Sequence, residues 1–392
     1  MDLQTTVSAA LAGVRLAMLK LAIHSFGWPR AEVAMLSRGD AAAIARLQEA
    51  ARKLMAPRSG AVVVPTIVGT HRANTVAQLS RCLDHDDAVA GAICANGHLD
   101  YSQPVGGVVA YREHVSVLGV GFDIGCGNLA VRTDMTYGAV KDRVGEVLDA
   151  IGARISFGEA RTNAVPIEHA LFDDVAAWQA AEVTYMLPRA RKQFGTVGAG
   201  SHYVDLFHEA RPDMAAEDSP VWIGIHFGSH RLGDRVTKIY LMLGGGIKGN
   251  NVPPTLLHQD TDRGRAYLAA MELAGRYAHA GREWVAATVL DILGARAVDE
   301  VHNRHNFAWR EEVAGAPAWV VRKGCTPAFP GQRGFVGGSM GDDAVILEGV
   351  AGAQATALLN STVHGAGRVC GREHALRRFK RDDMVAWLQR RG

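Results

Sequence analysis

Cysteine is scarce and unpaired in this chain: Cys82, Cys94, Cys126, Cys325 and Cys370 are the five, and no two form a Cys-x-x-Cys pair. An odd number of isolated thiols, with no signal peptide ahead of them, argues against a disulfide framework and for reduced thiols in the cytoplasm. Charge of one sign is scarce too. A formal net charge of +2 excludes a global basic field, so an anionic partner must be held by local patches. Long apolar runs are missing: Val7–Ile23 is interrupted by Arg15 and Lys20, is too polar to span a bilayer, and no small-residue cleavage site follows it. There is no internal repeat and no low-complexity tract. What is left is an ordinary soluble composition, 48% hydrophobic and 21% charged. Its 392 residues are enough to bury one large core or two smaller ones.

Along the chain the composition shifts once. Thr6–His24 and Asp40–Met55 are alanine-rich with helical periodicity, and Pro57-Arg58-Ser59-Gly60 reads as a boundary. Residues 1–60 are therefore expected to be a helical N-terminal extension, and residues 61–392 the main domain. Beyond the boundary, Val62–Val68, Ala88–Cys94, Val105–Tyr111 and Val115–Val120 are strand-like. Helical stretches follow at Tyr137–Ile151, Ile167–Leu187 and, most clearly, Asp262–Leu293. Further strands are expected at Val221–Ile225, Lys238–Leu243 and Trp319–Arg322. A basic amphipathic segment, Arg372–Leu388, comes last. Strands and helices alternate without a βαβ period, which predicts a single large mixed α+β domain rather than a doubly wound sheet.

Glycine is in excess: 44 residues against a usual ~7%, gathered around histidines rather than in linkers. In Val363-His364-Gly365-Ala366-Gly367-Arg368 an imidazole stands between residues with almost no side chain, so a bulky anion could approach it closely. In Gly121-Phe122-Asp123-Ile124-Gly125-Cys126-Gly127-Asn128 a carboxylate and a thiol lie three positions apart in a glycine-rich turn, a plausible pair of metal ligands. His202 ends the glycine-rich Gly195–His202 loop, which could lay backbone N–H groups around a phosphate. His226 stands where an apolar run ends, and His302-Asn303 follows the long helical region. Arg322-Lys323-Gly324 and Gly337-Gly338-Ser339-Met340 add cationic donors and flexible backbone. Taken singly, each histidine has the look of a hydrogen-bonded structural residue. Three histidines, a thiol and an aspartate, all flanked by close-approach backbone, are hard to explain as five unrelated core positions. The mixed hard and soft donor set suits Mn²⁺, Zn²⁺ or Fe²⁺. If two ions share the site, Cys126 suits the bridge.

These motifs, in order, resemble the RtcB family of RNA-splicing ligases over about Ala88 to Ala375. Asn96-Gly97-His98-Leu99-Asp100 through Pro104–Val108 resembles the family's PDxHxGxxxPIGGV element; GVGFDIGCGN, GTVGAGSH, IHFGS, VHN, RKG, GSMG and HGAGR resemble the others. The resemblance implies an RtcB-type fold, with β-sheets around a metal site and flanking helices. It implies an enzyme that uses GTP and Mn²⁺, two ions being expected, to join RNA 3′-phosphate or 2′,3′-cyclic phosphate ends to 5′-hydroxyl ends, in tRNA splicing or RNA repair. By motif, Asp123, Cys126, His202, His226 and His302 fall on the metal ligands. His364 falls on the histidine that becomes guanylylated before the nucleotide moves to the RNA 3′-phosphate. Ser201, His202, Asp205, His302, Asn303, Gly337, Gly338, Ser339, Met340, His364, Gly365, Ala366 and Gly367 fall around the nucleotide. The implied partners are tRNA halves or broken RNA ends, with room for an archease-like activator. No membrane is involved, and a monomer is the default expectation.

The chain departs from the family at several places. Ser201 stands for an asparagine, Asp205 for a glutamate, Asn96 for the aspartate of PDxH and Asp100 for a glycine, while His230-Arg231 interrupts Ser-Arg-Gly. The sequence stops at Gly392, short of the lysine by which the family holds the guanine, so the tail is expected to be shorter than the family's. Two other readings are consistent with the same residues. One is a metallo-phosphodiesterase that opens cyclic phosphates without a nucleotide; the other is a degenerate, non-catalytic RNA-binding homologue.

Overall fold

The 32-residue helix Asp262–Leu293 is the element around which the rest is assembled. Its ends are set locally. The Thr261 hydroxyl accepts from the Gly264 N–H at 3.0 Å, and Gly294 turns left-handed at φ 68° to close the last turn. In this computed structural model residues 30–46, 63–367 and 372–390 are described. Helix Arg30–Ser37 and helical residues 41–46 are what is described of the expected N-terminal extension. The Thr6–His24 segment and most of Asp40–Met55 lie outside the described residues.

Two open, largely antiparallel sheets flank the helix. One has the strands Thr66–Ile67, Ala88–His98, Val105–Tyr111, Ala316–Lys323 and Asn306–Val313 in that order, its one parallel pair being the first. The other runs Tyr203–His208, Pro220–Phe227, Gly127–Thr136, Ala297–Arg304. The first core joins Leu79, Ile93, Val109 and Tyr111 to Tyr267, Met271 and Tyr277 of the long helix. The second places Leu129, Val131, Ile223 and Ile225 against Ile151, Val285 and Val289. Side chains of this size contribute roughly 1.5–3 kcal/mol each when fully buried. The result is the mixed α+β domain that the alternation of elements predicts. Among the described residues no helix is long and apolar enough to cross a membrane.

Several expected elements differ. Lys238–Leu243, expected as a strand, is the end of helix Arg231–Leu243, whose buried Leu232, Val236 and Tyr240 repeat every four residues with Gly233, Thr237 and Leu241 beside them. The apolar tail hid a helical period that began seven residues earlier. Val115–Val120 splits into the strand His114–Ser116 and a helical turn Val117–Val120 capped by the Ser116 hydroxyl. Ile167–Leu187 breaks into the short helix Val175–Ala180 between the turns Ala170–Phe172 and Thr184–Met186, and the C-terminal segment into helices Arg372–Arg378 and Arg381–Gln389.

Arg322 and Lys323, read from sequence as cationic donors, are internal. Arg322 donates to both Glu311 oxygens at 2.5 and 2.9 Å, to the Leu359 carbonyl and to the Ser361 hydroxyl. Lys323 Nζ meets Asp100 at 2.9 Å and the carbonyls of Tyr101 and Gln103. Removing one member of a buried pair strands the other's charge. Arg322→Met is therefore expected to cost ~3–5 kcal/mol in urea unfolding, with Arg322→Met/Glu311→Leu recovering most of it. A double variant as unstable as the single one would show that the carboxylate is not what is stranded.

Candidate metal centre and nucleophile

The second sheet delivers its chemistry at one end. Gly127 pairs with Phe227 and with Arg304, and Tyr203 pairs with His226. The residue before the first strand is Cys126, the one before the last-mentioned strand is His202, and the one after Arg304 is His305. His226 stands one position from its strand's end. Asp123 comes from the turn leading into Cys126, where Gly125 is left-handed at φ 70° and a Cβ would stand 2.8 Å from the Cα of Gly275 on the long helix. Only glycine lets this turn lie flat on the helix.

The ligand atoms form two groups that share the thiol: Cys126, His226 and His305, and Asp123, Cys126 and His202. Cys126 Sγ lies 3.4 Å from His226 Nε2 and 3.7 Å from His202 Nε2, and the Nε2 atoms of His226 and His305 are 3.3 Å apart. Donors bound at ~2.0–2.3 Å to one tetrahedral ion lie ~3.3–3.8 Å from one another, so these separations fit a common cation. His226 Nδ1 donates to the Ser201 carbonyl at 2.7 Å, which leaves the Nε2 lone pair facing inward. The His230 N–H donates to Asp123 Oδ1 at 2.8 Å, and Oδ2 is left buried without a well-formed hydrogen bond, 3.1 Å from His202 Nε2.

The electrostatics suit ligands awaiting a cation. Burial works to raise the Asp123 carboxyl, but the nearness of the His202 imidazole, then that of His230 and its backbone N–H, holds it well below the usual carboxylate range. Burial, and then the neighbouring imidazoles, push His226 and His305 well below the ordinary histidine value, so both rings are neutral near pH 7. Burial and the Asp123 charge push the Cys126 thiol up, against the pull of Arg282. Cys82, Cys94, Cys126 and Cys325 are all free and buried, and Cys370 lies outside the described residues.

His364 adjoins this cluster, its ring centroid 4.6 Å from that of His305 and 6.4 Å from that of His226. It follows the strand Ser361–Val363, which pairs with Cys325–Pro327, and the Cys325 N–H donates to the His305 carbonyl at 3.1 Å. Asn128 Nδ2 donates to the His364 carbonyl at 3.1 Å, and Gly337 bridges to Gly365. The ring rests on Gly324, left-handed at φ 62°, where a Cβ would meet His364 Nδ1 at 3.0 Å. Asn96 Nδ2 donates to the Gly324 carbonyl at 3.0 Å and to His364 Nδ1 at 2.6 Å. Turning that amide over would set two oxygens against each other, so His364 Nδ1 is the acceptor and the proton of the neutral ring sits on Nε2.

A sequence model of the family described as tRNA-splicing ligase RtcB matches residues 75–392. The chain belongs to the RtcB family. It is similar to the tRNA-splicing ligase RtcB of Thermococcus kodakarensis, at 26% identity over 371 residues, 76% of this chain and 77% of that one. It is also similar to the RNA-splicing ligase RtcB of Escherichia coli K12, at 26% over 326 residues, 75% of this chain and 77% of the relative. With the tRNA-splicing ligase RtcB of Archaeoglobus fulgidus it shares 27% over 376 residues, 78% of each chain. It is an enzyme of the RNA-ligase class, with a candidate metal site of histidine, cysteine and aspartate.

Within the RtcB family frame, Asp123, Cys126, His202 and His226 come together, and His302 does not join them. His302 stacks on His279 at 3.6 Å and accepts from Arg282 Nε at 2.9 Å, on the side of its strand away from the thiol. The third histidine of the cluster is His305, three residues on and of opposite strand parity, which the sequence reading missed. The signal was present: His-Asn occurs twice, at 302–303 and 305–306.

Among the residues expected around a nucleotide, Asn303 is turned inward, accepting from the Phe335 N–H at 3.0 Å and facing the Thr326 hydroxyl. Ser201, Ser339 and Met340 are exposed, as are Gly338 and Ala366, and Gly365 and Gly367 are half-buried. Asp205 opens to solvent beside Tyr203, and the protein around it pushes its carboxyl up to about 6.

Proposed function

We propose that this chain is a GTP- and Mn²⁺-dependent RNA ligase that joins RNA 3′-phosphate or 2′,3′-cyclic phosphate ends to 5′-hydroxyl ends, in tRNA splicing or RNA repair. The observation that carries this reading is the nearness of the His364 ring to a cluster of metal-ligand type, 4.6 Å from the His305 ring. Asp123, Cys126 and His202 would hold one ion and Cys126, His226 and His305 a second, the thiolate serving both. Ions held there would neutralise charge on phosphate oxygens as bonds to phosphorus are exchanged.

The chain's own groups have distinct tasks. His364 supplies the nucleophile: its ring nitrogen forms a P–N bond to the α-phosphorus of GTP as pyrophosphate departs. The guanylate then passes to the RNA 3′-phosphate, and the 5′-hydroxyl attacks that phosphorus and displaces GMP. Neutral imidazole is competent at pH 7, because its ordinary value lies near ~6.5. Asn96, Gly324 and Asn128 fix the ring and its backbone. The turns at Gly337–Met340 and Gly365–Gly367 offer backbone donors for the guanylate phosphate, together with Asp205 on the strand Tyr203–His208 and Ser201 in the loop before it.

The direct test is a joining assay. The full chain, with GTP and MnCl₂, is given a labelled RNA fragment ending in a 2′,3′-cyclic phosphate and a second fragment with a 5′-hydroxyl. A joined product that needs both GTP and Mn²⁺ is expected. Opening of the cyclic end without GTP and without joining would replace the ligase reading by a phosphodiesterase.

A further inference from the structure

Arg282, from the middle of the long helix, is wholly buried behind the thiol. Among the described residues no carboxylate lies within ion-pair distance of it. Burial lowers its guanidinium to about 10, the charges of Cys126 and Asp123 opposing that shift. A buried cation without a carboxylate is costly to keep in a core, and apolar residues of similar volume are often more stable there. Its hydrogen bonds show what it holds.

Arg282 Nη1 donates to the Gly125 carbonyl at 3.0 Å and to the Phe227 carbonyl at 2.6 Å, and Nε donates to His302 Nε2 at 2.9 Å. Gly125 immediately precedes Cys126. Phe227 immediately follows His226. His302 stands on the strand Ala297–Arg304, which His305 directly follows. One rigid fork therefore ties the ends of three ligand-bearing strands to one helix, and no other side chain among the described residues is placed to do so. Lysine could not replace it, since its donors converge on a point rather than spread as a planar fork.

The same contact decides what His302 is. Arginine has no acceptor, so His302 Nε2 must accept and the proton of the neutral ring must sit on Nδ1. His279, Glu283 and His302 approach one another closely enough to suggest a further cation site. His302 cannot offer a lone pair there while Arg282 holds it, and the His279 and His302 rings lie parallel, within 10°. That cluster is a brace rather than a site.

We infer that Arg282, with His302 as its acceptor, is the positioning residue that sets the relative placement of Cys126, His226 and His305. The inference rests on the reading of those three as ligands of one ion. The test uses Co²⁺ as the probe on the full chain, because the cobalt visible spectrum reports geometry and the thiolate–cobalt charge-transfer band reports Cys126. Arg282→Met, Arg282→Lys, His302→Leu and His302→Gln are compared with wild type by Co²⁺ titration.

Arg282→Met, Arg282→Lys and His302→Leu are each expected to weaken Co²⁺ binding ~10–100-fold, the usual effect of losing an outer hydrogen bond to a metal site, and to shift the visible bands. His302→Gln, whose side-chain carbonyl can still accept from Arg282 Nε, is expected to stay close to wild type in both. Should Arg282→Met not fold, the His302→Leu and His302→Gln pair decides alone, since a residue that only filled space would not distinguish them by spectrum. Wild-type affinity and spectrum in His302→Leu and in whichever Arg282 variants fold would overturn the inference while leaving the metal reading intact. A wild type with no thiolate–cobalt band would overturn both.

Discussion

Cys126→Ala is expected to leave the purified protein without either metal ion, whereas His305→Ala removes one. The asymmetry follows from sharing. The thiol belongs to both ligand groups, so its loss leaves each with two protein donors, while His305 belongs to one group only. Two donors in a solvent-accessible site rarely outcompete water and buffer for a first-row ion, whereas three to four fixed ones do. The loss should appear as a metal-to-protein ratio near zero by plasma mass spectrometry after gel filtration, with the fold retained by circular dichroism. His302→Gln, prepared in parallel, should keep the wild-type ratio, because that side chain faces Arg282 and His279 rather than the thiol. A full metal complement in Cys126→Ala, or one lost in His302→Gln but kept in His305→Ala, would reverse the assignment of the ligand set.

The contrast between His302 and His305 also shows what could be read from the chain before folding. Features written into neighbouring residues were legible. The long helix was bounded correctly at both ends because Thr261 caps it and Gly294 closes it. Val105–Tyr111 was a continuous apolar run between breakers and is a strand of those bounds. Asp123 and Cys126 were legible as a pair because one turn holds both. The strands Tyr203–His208 and Ala297–Arg304 were not, since Asp205 and Asp299-Glu300 break any apolar alternation, yet these strands carry His202 and His305 into place. Parity could not be assigned to 302 against 305 without the strand, and the strand could not be seen. Arg282 was further out of reach. Its partners at Phe227 and Gly125 lie 55 and 157 residues away, and nothing local marks a helical arginine as internal.

The second large effect concerns His364. His364→Ala should abolish transfer of label from α-labelled GTP to the protein, because its half-buried ring adjoins the cluster without belonging to either ligand group. The adduct is read by acid-sensitive, base-stable labelling on a denaturing gel, and an adduct persisting in His364→Ala would place the nucleophile elsewhere. Asn96 makes a sharper form of the same test. Its amide donates to His364 Nδ1 and is locked by the Gly324 carbonyl, so the resting ring carries its proton on Nε2, the nitrogen left to attack while Nδ1 is engaged. Attack therefore requires the proton to move to Nδ1 and the amide to let go. A carboxylate at this position, rotated off the Gly324 carbonyl, would accept from Nδ1–H and leave the Nε2 lone pair ready. In a serine-type triad the wrong histidine tautomer costs ~10⁴ in rate. Even part of that effect predicts that Asn96→Asp forms the adduct ~10–100-fold faster than wild type, with metal content unchanged. The ¹⁵N shifts of the His364 ring should move from the Nε2–H to the Nδ1–H pattern in the same variant. If the shifts move and the rate does not, proton relocation is not what limits the first step; if neither moves, Asn96 does not govern the ring.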